Sequence, residues 1–278
     1  MIAVVESGST KADWMVISDA GSVAYSTKGF NPYFHSKEDI LLELGGHLDL
    51  GLLKEEINRI HFYGASCSSP SLQNVVKEGL SAFFGNAEIT VNHDLDACAF
   101  ACYNGVPEIA CILGTGSNSC FFDGRVVHEE VPALGHILGD EASGSYFGKQ
   151  MIADYFYKKL PSQMHRDIEA IGMDQSIMVE KIYRNSDANV YIASFFPVLI
   201  RNRELEYSQK LIRTGIQLFI DNHIKCYPNC EEVEVNFVGS VADLLKNELT
   251  ELCAKNNLKI GRIMRRPLQN LVNYHLSK

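Results

Sequence analysis

Positive charge is in short supply in this chain: 25 Lys and Arg stand against 34 Asp and Glu, for a net charge of −9. A phosphate backbone selects a basic surface, so nucleic acid is not expected as a partner. A small phosphorylated ligand stays open, because local turns and Mg²⁺ can offset a global charge. No stretch approaches the roughly 18 uninterrupted apolar residues of a membrane span, so no membrane association is expected. The first residues lack a basic segment ahead of a long apolar one, and Met1-Ile2-Ala3-Val4-Val5 therefore reads as a first strand, not a signal peptide. Cysteine is too sparse for a disulfide framework. Cys98, Cys102, Cys111 and Cys120 sit among apolar residues, as reduced thiols in a cytoplasm do. His223, Cys226 and Cys230 have loose metal-like spacing but lack a second pair at zinc-site spacing, so no metal is expected there. The single tryptophan, Trp14, is expected to pack in the core rather than stack on a base.

What is present is a hairpin that occurs twice. Ile2-Ala3-Val4-Val5 runs into Glu6-Ser7-Gly8-Ser9-Thr10-Lys11 and leaves through Trp14-Met15-Val16-Ile17 to an Asp19-Ala20-Gly21 turn. Further on, Ala110-Cys111-Ile112-Leu113 runs into Gly114-Thr115-Gly116-Ser117-Asn118 and leaves through Cys120-Phe121-Phe122 to an Asp123-Gly124 turn. Small residues and hydroxyls at a tight turn present backbone N–H groups without bulky side chains, which is what a phosphate requires. Neither turn is a Walker A loop, and neither opens a helix as a dinucleotide fingerprint does. Alone, each copy reads equally well as an ordinary hairpin turn. The pair points to two similar lobes.

Along the chain, residues 1–27 read as three antiparallel strands. Ser36 looks like an N-cap opening a helix to about Leu44, with Asp39 as a short stand-in for the usual Glu of a capping box. Arg59 to Gly64 and Glu88 to Val91 read as strands, with an amphipathic helix over Leu72–Phe84 and an Ala-rich one over Leu95–Tyr103. Beyond the second hairpin, Ser145–Leu160 reads as a helix, and apolar periodicity continues through Ile177–Tyr183, Val190–Ile200 and Ser208–His223. Glu234 to Val238 reads as a strand that meets a Gly239-Ser240 turn, Lys259 to Ile263 as a last strand, and Pro267 as the start of a final helix. Alternating strands and helices with an early meander predict α/β lobes with mixed sheets: residues 1–109, and 110–266 with a helical insertion at about 145–225.

Phosphoryl transfer requires a phosphate cradle, an acid that holds metal and a base for the acceptor hydroxyl. Gly8, Ser9, Thr10 and Lys11 offer one cradle, and Gly114, Thr115, Gly116, Ser117 and Asn118 another. Asp94, between a strand and a helix, is the leading base, since a helix N-terminus favours its ionised form; a simple N-cap is the competing reading. Glu6 and Asp13 flank the first turn and could reach Mg²⁺ directly or through water. Asp140-Glu141 lies in a Gly-bracketed loop where capping is the commoner explanation, and His136 is an acid/base by type only.

These residues are similar to the BadF/BadG/BcrA/BcrD ATPase family and its N-acetylglucosamine kinase branch, within the actin–hexokinase–heat-shock ATPase superfamily. Glu6 to Trp14 resembles the first phosphate motif and Leu113 to Asn118 the second. Val238-Gly239-Ser240-Val241-Ala242 resembles the adenosine motif, and Gly29-Phe30-Asn31-Pro32 and Gly135 to Glu141 resemble the sugar-side loops. The resemblance implies two ribonuclease-H-like lobes hinged around ATP and Mg²⁺, and a helix at 267–276 that returns to the first lobe. It implies Asp94 as catalytic base, Asn31 and Asp140 as sugar contacts, and Gly239 and Ser240 at the nucleoside. An amino sugar, N-acetylglucosamine or a close relative, is the implied acceptor, in a cytoplasmic enzyme for which a homodimer is an allowed assembly. Three features depart from the pattern: Glu6 replaces the Asp of many bacterial relatives, Ser240 stands where a second glycine is common, and Asp96 adds a charge near Asp94. The zinc-binding cysteine cluster of the bacterial glucose-kinase relatives is absent, which counts against that branch.

Two other functions compete. An ATPase activator of a radical dehydratase would need cysteines placed to bridge an iron–sulfur cluster at a subunit interface, and no convincing placement follows the 113–118 motif or lies in the helix after 140–144. A non-catalytic nucleotide or sugar sensor with an actin-like cleft is the third reading, and an intact Asp94 argues mildly against it.

Overall fold

The computed structural model describes residues 1–8, 11–185 and 187–277. The chain divides into two compact units, one of Met1–Tyr103 with the segment from Pro267 onward, the other of Asn104–Arg266.

The first unit is built on a five-stranded sheet in the order β3-β2-β1-β4-β5, with β1 at Ile2–Ser7, β2 at Lys11–Ser18, β3 at Gly21–Lys28, β4 at Arg59–Gly64 and β5 at Glu88–His93. β1, β2 and β3 form an antiparallel meander, and β1, β4 and β5 run parallel. Central β1 buries Ala3, Val4 and Val5 in succession, the continuous apolar run of a strand covered on both faces. In β2 the buried residues alternate instead: Ala12, Trp14 and Val16 face the core. Trp14 is fully buried, and its indole N–H donates to Thr27 Oγ1 at 3.0 Å, so its polar end is satisfied. Helix Lys37–Gly45 opens on the expected capping box: Asp39 N–H donates to Ser36 Oγ at 3.2 Å, and Ser36 N–H to the Asp39 carboxylate at 2.8 Å. The Ser36 N–H, and the Ser36 hydroxyl that donates to the same carboxylate at 2.8 Å, hold the Asp39 carboxyl below its ordinary pKa. A short helix at Leu48–Leu53, capped by His47, was not legible from periodicity.

The final helix, Leu268–Leu276, packs within this unit. Asn270 Nδ2 donates to Ala101 O at 3.2 Å, and Tyr274 stacks on Phe100 with ring centroids 4.6 Å apart. His275 stacks on His61 at 3.9 Å and meets Tyr63 OH at 2.9 Å.

The second unit repeats the same sheet. Its order is β10-β9-β6-β7-β8, with β6 at Glu108–Leu113, β7 at Ser117–Phe122, β8 at Val127–His128, β9 at Glu234–Val238 and β10 at Lys259–Met264. β6, β7 and β8 are antiparallel, while β6, β9 and β10 are parallel, so β6 takes the place that β1 holds in the first sheet. The duplicated hairpin is thus the central-strand hairpin of each sheet, and the two mixed sheets bear out the expected α/β class. Between β8 and β9 lies the helical insertion. The helix expected over Ser145–Leu160 spans Gly144–Phe156 and stops because Lys158 takes a left-handed φ of +56°. The run expected over Val190–Ile200 is two helices, Ala188–Ala193 and Phe196–Arg201. Pro197 lies in the first turn of the second, where its missing N–H is harmless. The run expected over Ser208–His223 is an α-helix, Glu206–Phe219, that continues as a π-helical turn, Ile220–Ile224. Among the described residues, no helix is long and apolar enough to cross a membrane.

Candidate active site

In the first unit the sequence-identified residues collect at the carboxyl ends of the parallel strands, where open α/β sheets bind ligands. Ser7 of β1 pairs with Gly64 of β4, and Gly64 with His93 of β5, so these three strands end in register. Gly8 N–H donates to Lys11 O at 3.0 Å and closes the first turn. Ser9 and Thr10 lie outside the described residues. Lys11 forms an ion pair with Asp13, though its side chain is 52% exposed. The loop carrying Asn31 is tied to the same place, because Phe30 N–H donates to Ser7 Oγ at 2.9 Å. Ser7 is fully buried, and nothing in its local sequence marks it as the link between phosphate turn and acceptor loop. Asn31 is itself buried; its Oδ1 accepts from Tyr33 N–H and its backbone N–H donates to His35 Nδ1, so it shapes its own loop.

Asp94 is the first residue of helix Asp94–Cys102, with His93 at the cap position, which sets aside the reading of Asp94 as a simple N-cap. Its carboxylate lies at the positive end of the helix. His93 Nε2 is 3.0 Å from Asp94 Oδ1, and Asp96 Oδ2 accepts from His93 N–H at 3.1 Å. Burial pushes the Asp94 carboxyl above its ordinary pKa, His93 opposes the rise, and the charge of Asp96 adds to it. The side chain keeps 28% of its surface exposed, so a substrate can reach it. A raised carboxyl that remains accessible is suited to taking up a proton.

Glu6 and Asp13 are direct cross-strand partners in β1 and β2, so the two carboxylates share one face. Like charges in that position destabilise a sheet unless a cation intervenes, and Lys11 partly answers Asp13. Two hard oxygen donors beside a phosphate turn suit Mg²⁺, which keeps several waters and phosphate ligands. Among the described residues, no cluster of three His, Cys, Asp or Glu side chains could hold a metal by itself, and none forms at His223, Cys226 and Cys230.

In the second unit the turn at Gly114–Asn118 joins β6 to β7. Gly114 N–H donates to Gly116 O at 2.9 Å; Gly114 O accepts from Gly144 N–H at 2.8 Å and Thr115 O from Ser145 N–H at 3.0 Å. The turn is thereby fixed to the start of helix Gly144–Phe156. Asp140 fastens it from beneath, its Oδ1 accepting from Ser117 N–H at 3.3 Å and its Oδ2 from Ser145 Oγ at 3.1 Å. A Cβ on Gly116 would stand 3.1 Å from both Asp140 oxygens, so the carboxylate packs tightly against this glycine. Burial raises the Asp140 pKa while these two bonds lower it. Asp140 is 7% exposed and takes a left-handed φ of +61°. Asn118 engages its side chain internally, donating to Glu129 Oε1 at 2.9 Å and accepting from Ser119 N–H at 2.8 Å. Ser117 Oγ is buried without a protein partner. His136 is placed differently: its carbonyl accepts from Lys149 Nζ at 2.6 Å.

Gly239 ends β9 with φ at +126°, and a Cβ there would come 2.2 Å from Leu113 O. The Gly239-Ser240 turn therefore presses directly on the start of the phosphate turn, a contact open only to glycine. Ser240 then opens helix Ser240–Leu244.

No family model matches the sequence, and no curated protein matches it. Solved structures do. A Porphyromonas gingivalis protein, provisionally assigned as an N-acetylglucosamine kinase, is 30% identical, with 100% of this chain and 99% of that one covered and a TM-score of 0.93. A Chromobacterium violaceum protein with the same provisional assignment is 16% identical, with 98% of each chain covered and a TM-score of 0.71. A non-polymerising MamK variant bound to AMPPNP is 13% identical, with 99% and 97% covered and a TM-score of 0.51. The last two bear on the fold alone, and the fold is that of the actin-like ATPases.

Proposed function

The chain belongs to the family of the Porphyromonas gingivalis protein, and from that premise we propose that it is an ATP-dependent kinase of an amino sugar, N-acetylglucosamine or a close relative. Within the superfamily we place it in the BadF/BadG/BcrA/BcrD group. The observation that carries the proposal is Asp94: an accessible carboxyl with a raised pKa, at a helix N-terminus, in the same unit as the Gly8 turn and the Asn31 loop.

In this reading the Asp94 carboxylate takes the proton of the acceptor hydroxyl as that oxygen bonds to the γ-phosphorus. The bond from phosphorus to the bridging oxygen breaks, and ADP leaves. The turns at Gly8 and Gly114–Asn118 receive the phosphates, with Ser9, Thr10 and Lys11 assigned to the same role; the Gly8, Gly114 and Ser117 N–H groups are engaged within the protein and set the shape of those turns. Gly239 and Ser240 border the nucleoside. Asp140 and Asn31 border the sugar; both are buried, so each positions its loop as well as offering an edge to the substrate. Glu6 and Asp13 would hold Mg²⁺, which when bound neutralises charge on the phosphates. Seven of the eight cysteines are buried and Cys226 is half-buried, which favours a kinase over an iron–sulfur activator.

The test is an ADP-release screen of the full chain with ATP and Mg²⁺ across N-acetylhexosamines, with ATP alone as baseline. Sugar-dependent ADP release is expected. Absence of turnover on every amino sugar would remove the assignment.

A further inference from the structure

Glu141 has both carboxylate oxygens engaged from one short segment of the helical insertion. Asn222 Nδ2 donates to Oε1 at 3.0 Å, and His223 Nε2 lies 3.3 Å from Oε2. The segment is the π-helical turn Ile220–Ile224. Consecutive residues of a regular α-helix do not share a face, whereas π turns depart from that geometry and recur at functional sites. The same turn reaches the phosphate hairpin: the His223 carbonyl accepts from Ser119 Oγ at 2.6 Å, and just beyond the turn Tyr227 OH donates to Ser119 O at 3.1 Å. Ser119 directly follows Asn118.

His223 is 5% exposed, and its ring stacks on Phe219 with centroids 5.0 Å apart. Its Nδ1 is buried without a partner. A proton there would be an orphaned donor, so the network assigns the proton to Nε2, aimed at Glu141. On the other side, Asp140 and Ala142 flank Glu141 with φ of +61° and +59°, left-handed conformations that non-glycine residues hold only when their surroundings enforce them. Asp140 is held by Ser117 and Ser145 and Ala142 is fully buried, and the two bonds to Glu141 fix the residue between them.

We propose that His223 is a positioning residue of the acceptor loop: acting through Glu141, it holds the strained segment Asp140–Ala142 and keys it to the phosphate hairpin through Ser119. The role in substrate binding rests on the proposed kinase function; the mechanical role does not. It also makes Glu141 a bracket rather than a sugar ligand.

The test uses the full chain with His223→Phe, which keeps the ring stack, and His223→Gln, which keeps a donor for Glu141. In hydrogen exchange without ligands, His223→Phe should speed exchange of the 139–145 segment at least tenfold and leave β9 unchanged, with His223→Gln close to the wild type. In turnover, His223→Phe should raise KM for the amino sugar at least tenfold with KM for ATP within about twofold. Unchanged exchange in a folded His223→Phe protein overturns the proposal, whether or not any sugar is phosphorylated. Faster exchange with an unchanged sugar KM in an active enzyme overturns the positioning role. If no sugar is turned over, the kinase reading fails and exchange alone decides the mechanical claim. Should His223→Phe not fold, Asn222→Ala removes the other bond to Glu141, and the same two measurements apply.

Discussion

His93 Nε2 and Asp94 Oδ1 lie 3.0 Å apart at the end of β5, so the proposed base is preceded in the chain by the imidazole that contacts it. Burial raises the Asp94 pKa and His93 opposes it. The base must be ionised to act, so the acidic limb of kcat/KM reports this carboxyl. Replacing His93 with Gln removes the opposing influence, and the limb should move to higher pH. A limb that stays fixed, or moves down, would separate His93 from the base. Asp94→Asn should lower kcat by about a thousandfold or more, in the range of lost proton-transfer catalysis, with AMPPNP affinity by calorimetry within about threefold.

Gly239→Ala should disable the nucleotide side of the second unit. The new Cβ meets Leu113 O at 2.2 Å at a φ of +126°, and the neighbour is backbone that cannot rotate away. A clash combined with a disfavoured dihedral belongs among the substitutions costing about 2 kcal/mol or more. Thermal melts with and without AMPPNP check it: a lower melting temperature and loss of the nucleotide-induced shift are expected. A variant that melts and binds like the wild type would contradict the contact.

The final helix should loosen in acid. Burial, reinforced by the neighbouring His61, pushes His275 down to about 4 from an ordinary 6.5. The unfolded chain therefore binds a proton in that interval that the folded protein refuses, and stability falls as pH drops from 6.5 towards 4. His61, also lowered by burial, adds in the same direction, with Arg59 reinforcing and Glu88 opposing its shift. His275→Phe keeps a ring on His61 but loses the bond to Tyr63 OH, a cost of about 1 kcal/mol at neutral pH. Its denaturation midpoint should fall less steeply with acid than that of the wild type. Equal slopes would exclude His275 as the titrating group.

Much of this was legible in the sequence because turn chemistry is local. The Gly8 and Gly114–Asn118 turns, the Asp39 box and Asp94 at the start of its helix all declare themselves within a few residues. The repeated hairpin also gave two similar lobes, while the strand order they share is visible only in the structure. What stayed hidden depends on partners far along the chain. Asp140 reads as a capping acid until Ser117, distant in sequence, is seen to donate to it. Ser7 looks like any small residue until Phe30 N–H is found on its hydroxyl. The π turn at Ile220–Ile224 is silent because it ends the helical run, leaving no later turns in which a shifted apolar phase would show. The break between Ala193 and Phe196 was missed for a similar reason: both helices remain apolar on the buried side.

Glu108 supplies the last prediction. It is fully buried on β6; Oε2 accepts from Asn236 Nδ2 at 3.0 Å, and Oε1 has no partner. Asn236 is held in turn by Arg262 N–H at 2.6 Å, where the register of β10 shifts. Burial pushes the Glu108 carboxyl up to about 8 from an ordinary 4.5, with Arg262 opposing the rise and Glu234 adding to it. The native protein therefore retains a proton that the unfolded chain releases, and stability declines as pH rises from 4.5 to about 8, then levels. Glu108→Gln keeps the shape and the acceptor for Asn236 while remaining neutral. Its stability relative to the wild type should grow with pH across that interval, by at most about 1.4 kcal/mol per pH unit. Urea denaturation at about pH 5 and about pH 8 measures this directly. If the variant and the wild type lose stability in parallel, Glu108 is ionised in the folded protein and the buried network at Asn236 must be satisfied in another way.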